Sequence, residues 1–208
     1  MPLRERSYRS FLDNHLHRQN GEGRCWPALL EAARRSAGDF SWDADKIMKE
    51  LGGTKRDGVD SREVVAFFEK LGIPWYAESD CGEERFMRLL GELSPGVDIF
   101  TSVWDCRFRP GYRPKDDKPE VHIVAPLEAI CVDGYPWIIS YDPDTEIGGL
   151  FPVPLGLWMM WWHEGPDSKP GVNREVTKKD IDRPSRRFFL ATGATNEEVW
   201  RMIGEPNK

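Results

Sequence analysis

A chain of 208 residues with nine Trp and ten Phe has enough apolar bulk for one domain with a substantial core. Its formal charge of −6, without any stripe dominated by Lys and Arg, offers no electrostatic footprint for DNA or RNA, so no nucleic-acid partner is expected. No apolar run approaches the ~18 residues of a membrane span, and the start, MPLRERSYRSFLDNH, lacks the apolar stretch of a signal peptide; no membrane contact and a cytoplasmic location are expected.

In chain order, Tyr8, Phe11, Leu12, His15 and Leu16 recur at helical spacing and predict a helix over 5–17. Gly21 and Gly23 break the next stretch into a loop that delivers Cys25 to the first turn of a second helix, whose apolar side is Trp26, Leu29, Leu30 and Ala33. Pro27 sits just inside its start, where a missing N–H costs nothing, and the helix is expected to end near Gly38. Ser41 is the expected cap of a helix through Ile47, Met48 and Leu51, stopped by Gly52-Gly53 acting as a helix end rather than as a processing site. A capping box at Asp60-Ser61-Arg62-Glu63, then a stripe of Val64, Phe67, Phe68 and Leu71 closed by Gly72, marks the clearest helix. Another is expected after a Ser79-Asp80 cap, with Phe86, Leu89, Leu90 and Leu93 facing the core.

From Val97 the period changes, and VDIFTSVW, VHIVA, EAICV and PWIISYD read as strands of an antiparallel sheet. DCRFRPGYRPKDDKPE (105–120) is too polar for core and reads as a long hairpin loop or lid, and Asp133-Gly134 as a turn. PVPLGLWMMWWHE (152–164) reads as a short helix or strand closing over the sheet, and 165–184 as polar loop or linker. RRFFLATG and the Thr195-Asn196-Glu197-Glu198 cap predict a last strand and a C-terminal helix. The fold class is α+β: a mainly helical half over 1–96, a sheet half over 97–164 and an extension over 165–208, all one domain.

The four cysteines, Cys25, Cys81, Cys106 and Cys131, are too sparse for a disulfide scaffold and none stand at CxxC spacing, so reduced thiols are expected. His15 and His17 lie two apart, which separates them by about 200° on a helix, and no HExxH occurs; no metal and no cofactor are expected. One thiol is placed differently from the rest. The free N–H groups and positive end of a helix favour the thiolate, the reactive form, and Cys25 is where such an end is predicted. Gln19, six residues earlier across a glycine loop, can fold back as an oxyanion donor. A nucleophilic thiol needs a base that also protonates the leaving amine, and imidazole suits both tasks near neutrality. Alternation on VHIVA sets Val121, Ile123 and Ala125 on one face and His122 with Val124 on the other. Asp142, one hairpin later in Tyr141-Asp142-Pro143, can lie beside His122 on the neighbouring strand and fix its tautomer.

In this order of parts the chain resembles the papain-like cysteine peptidases. QNGEGRCWPALLEAAR is similar to their active-site loop and helix, in the Gln-to-Cys spacing and the Trp after the Cys. SWDADKIMKELGGTKRDGVDSREVVAFFEKLGI, two helices joined by a Gly-containing turn ahead of a His strand and an Asp-Pro turn, is closer to the bacterial branch that includes the double-glycine leader peptidases. The resemblance covers about residues 15–145 and implies a papain-like α+β fold, a peptide or protein substrate, Cys25 as nucleophile, His122 as base, Asp142 as its orienting partner and Gln19 as oxyanion donor. Two other functions fit the same parts: an acyl transferase or isopeptidase in which an amine takes the acyl group, and a non-catalytic peptide- or protein-binding module using the 105–120 loop and a Trp158, Trp161 and Trp162 surface.

Overall fold

The computed structural model describes residues 24–36, 38–52, 59–93, 96–104, 121–143, 149–162, 172–181 and 187–206. The expected N-terminal helix over 5–17, Gln19 and the 105–120 loop lie outside these residues. Six helices are described, α1 (Cys25–Ser36), α2 (Ala44–Glu50), α3 (Ser61–Lys70), α4 (Glu83–Glu92), α5 (Leu155–Trp161) and α6 (Asn196–Ile203). The strands are β1 (Trp75–Ser79), β2 (Asp98–Trp104), β3 (Val121–Val132), β4 (Tyr135–Asp142), β5 (Gly149–Pro154), β6 (Arg174–Glu175) and β7 (Phe189–Thr192). They form one sheet in the order β5-β4-β3-β2-β7-β1-β6, antiparallel at every pairing.

Helices cover both faces of the sheet. Leu29 and Leu30 of α1, Ile47 of α2 and Phe68 of α3 pack with Phe100, Ile123, Tyr141 and Leu190. Phe86 and Leu90 of α4, Trp158 of α5 and Val199 of α6 pack with Ile99, Val124, Ile138 and Phe189. Strand neighbours such as Ile99 and Phe100, or Phe189 and Leu190, therefore point into opposite clusters. This is why the central strands read as nearly continuous apolar runs rather than as strict alternation.

The mixed helix and antiparallel-sheet class is as expected, and two helices begin where their caps indicate. Asp60 accepts from the Arg62 and Glu63 amides while Glu63 accepts from the Asp60 amide, and Thr195 and Glu198 make the same box on α6. Other boundaries move. Asp43, not Ser41, caps α2, because its carboxylate accepts from the Lys46 amide, whereas the Ser41 hydroxyl is taken by Asp39. Ser79 and Asp80 do not cap α4: Ser79 ends β1, Asp80 has φ 57°, and Gly82 precedes the helix. VHIVA and EAICV are one strand, β3, whose register slips between Pro126 and Glu128, where a proline cannot continue the ladder. The stretch expected as loop over 165–184 contributes the short strand β6.

The helical and sheet halves also interleave. β1 comes from the helical half, and β7, from the C-terminal extension, is inserted between β1 and β2. That insertion depends on Gly193, at φ 83°, where an added Cβ would stand 2.1 Å from the Gly96 carbonyl oxygen. Beneath β1, fully buried Glu78 receives Arg85 through Nε at 2.7 Å and Nη2 at 2.8 Å, and the Tyr76 hydroxyl at 2.6 Å. Arg85 continues to the Ile203 and Gly204 carbonyls, so a paired buried charge fastens the end of α6 to the sheet.

Candidate active site

Helix α1 starts where the Arg24 carbonyl accepts the Ala28 amide at 3.1 Å, making Arg24 the flanking residue and Cys25 the first within the helix. The Trp26 ring meets Phe100 edge-on, centroids 5.4 Å apart, which fixes the start of α1 against β2. Cys25 stays partly exposed at the rim of that cluster. His122 is the second residue of β3, opposite Val103, and Asp142 is the last residue of β4, just beyond the Ala125–Tyr141 pair. Antiparallel pairing thus brings the start of one strand and the end of the next to the same end of the sheet.

There His122 Nε2 lies 2.7 Å from Asp142 Oδ1, with both side chains almost wholly buried. The Cys25 thiol lies close enough to the same imidazole to act on its protonation, and with Nε2 at Asp142 the ring nitrogen left over is Nδ1. Burial alone would push the imidazole pKa down, but the bond to Asp142, the bond to Cys25 and the charges of both partners prevail, and the value is raised to about 10. By strand parity His122 goes with Val124 and Asp142 with Ile138, on the face covered by α4 and α5, whereas Cys25 sits on the α1 side.

Three of the four residues expected at the site, Cys25, His122 and Asp142, come together, and Gln19 lies outside the described residues. The Trp158 and Trp162 surface does not exist: both rings are fully buried, Trp162 against Phe86 and bonded through Nε1 to the Phe188 carbonyl, and only Trp161 keeps some exposure. Their size made burial the cheaper outcome. The sequence did not mark two contacts that tie α1 to α2, one of them from the residue that precedes Cys25. Arg24 Nη1 bonds Asp45 Oδ1 in the first turn of α2 at 2.5 Å, and buried Glu31 accepts the Ala44 amide of that turn at 2.9 Å. A charged residue directly before the Cys was the only available signal.

Cys25, Cys81 and Cys131 are free thiols. Among the described residues no group of three or more His, Cys, Asp or Glu is arranged to hold a metal ion, and no helix is long and apolar enough to cross a membrane. No protein-family model matches the chain, and no curated protein matches it.

Proposed function

We propose that the protein is a papain-like thiol hydrolase that cleaves an amide bond of a peptide or protein substrate through Cys25, His122 and Asp142. The observation that carries this reading is the continuous string from a partly exposed thiol through a buried imidazole to a buried carboxylate. Raising the imidazole pKa favours imidazolium, the partner a thiolate needs.

In this mechanism the Cys25 thiolate attacks the substrate carbonyl carbon, and the resulting oxyanion is held by the Cys25 backbone N–H and the Gln19 side-chain amide. The tetrahedral species collapses, the C–N bond breaks, and the leaving amine takes the proton from His122. His122 then removes a proton from water, the hydroxide attacks the thioester, the C–S bond breaks, and Cys25 returns to its paired state as the acid leaves. Asp142 keeps Nε2 occupied, so that Nδ1 remains the nitrogen that serves the sulfur.

The test is iodoacetamide labelling at mildly acid pH, where an ion-paired thiolate reacts and an ordinary thiol hardly does. Selective labelling of Cys25, lost in His122→Ala, is expected; equal labelling of Cys25 and Cys131 would remove the reading. Gln19→Ala is expected to lose ~10²–10³ in rate through a missing oxyanion donor. Offering amine acceptors to the trapped acyl-enzyme separates hydrolysis from acyl transfer.

A further inference from the structure

We infer that the Arg24–Asp45 ion pair is a positioning device that aims the Cys25 backbone N–H at the substrate oxygen; this rests on Cys25 being the nucleophile. The link between Arg24 and that N–H is covalent. The Arg24 carbonyl and the Cys25 amide belong to one planar peptide unit, in which C=O and N–H point in opposite directions. The carbonyl is drawn into α1 by the Ala28 amide at 3.1 Å, so the Cys25 N–H is turned outward from the helix start, where it has no partner within the helix.

One hydrogen bond leaves that peptide free to rock about the Cα positions on either side. The second constraint comes from the Arg24 side chain, which is 9% exposed and whose Nη1 is held at 2.5 Å by Asp45. Asp45 in turn sits in a turn braced on both sides: Asp43 caps α2, and Glu31 accepts the Ala44 amide while pairing with Arg35 at 2.8 Å. The peptide that precedes the nucleophile is thereby gripped from the helix side by Ala28 and from α2 by Asp45. A displacement of about 1 Å in such a donor can cost ~10² in rate.

The pair can be cut with little damage, because the Asp45 side chain is 78% exposed and Asn keeps its shape. Two reactions of Cys25 separate aim from nucleophilicity. Acylation by p-nitrophenyl acetate develops an oxyanion, whereas alkylation by iodoacetamide is a displacement at a saturated carbon and develops none. With full-length protein, Asp45→Asn and Arg24→Gln are each expected to slow acylation about tenfold and to change alkylation less than twofold. The double variant should be no slower than the worse single one, as for two ends of one contact, and Asp45→Glu should recover most of the rate. Unchanged acylation in Asp45→Asn overturns the inference while leaving Cys25 as nucleophile. Equal slowing of both reactions overturns it too, since general loosening of α1 would do that. A wild-type Cys25 that neither acylates nor labels selectively removes both this inference and the proposed function.

Discussion

Two cysteines lie at helix starts, Cys25 in the first turn of α1 and Cys81 just before Gly82, the residue that opens α4. Their surroundings are opposite. The Cys25 thiol is partly exposed and lies beside an imidazole whose Nε2 is held by a carboxylate. Cys81 is fully buried, its thiol 3.6 Å from the Gly82 carbonyl, and its pKa is pushed well above the usual thiol value by burial and then by the negative charge of Glu78. Arg85, a cation that acts on this thiol, is already committed to Glu78. A helix start alone therefore does not set a thiol's surroundings: Cys25 has access to solvent and an imidazole beside it, whereas Cys81 is sealed in next to a carboxylate.

The contrast can be broken most directly by exchanging which thiol remains. Cys25→Ala is expected to abolish hydrolysis and acid-pH labelling, and Cys81→Ala to leave both within about twofold; mass spectrometry of the labelled protein reads the difference. Next in size is Asp142→Ala, expected to lower kcat by ~10³–10⁴ by leaving the imidazole without its orienting partner, measured on any substrate the wild type turns over. At the other thiol the counterpart is Glu78→Gln, which strands Arg85 in the core; a loss of ~3–5 kcal/mol in urea unfolding is expected with kcat unchanged below the transition.

A smaller effect comes from pH. The His122 pKa is raised from 6.5 to about 10 in the fold, so the stabilisation it brings is complete below about pH 6.5 and is lost as pH rises toward 10. The melting temperature of the wild type should fall between pH 7 and pH 10 by a few degrees more than that of His122→Gln. A wild type and variant that fall in parallel would mean that the imidazole is not held as drawn.

The same contrast explains what could be read from the sequence. The placement of Cys25, His122 and Asp142 was legible because each stands in a stretch whose period assigns it to a helix start or a strand. α3 and α6 were legible because cap and apolar stripe agree. β1 was not, since WYAES places Glu78 in a strand interior, and only Arg85, seven residues on, with Tyr76 makes its burial tolerable. β6 is two residues long and exists through its pairing with β1. Arg24 and Asp45 are 21 positions apart with no shared period, so their meeting depends on how α2 docks on α1.

Strand β7 bears on how the molecule comes to life on the ribosome. Its four residues bridge β1 and β2, with four paired positions on each side, so residues 75–79 and 98–104 have no hydrogen-bonded connection in the sheet until residue 192 has been synthesised and has cleared the exit tunnel. β2 is also the strand that seats both Trp26 and the His122 strand. An emerging chain therefore carries Cys25, His122 and Asp142 well before β7 can join the two parts of the sheet.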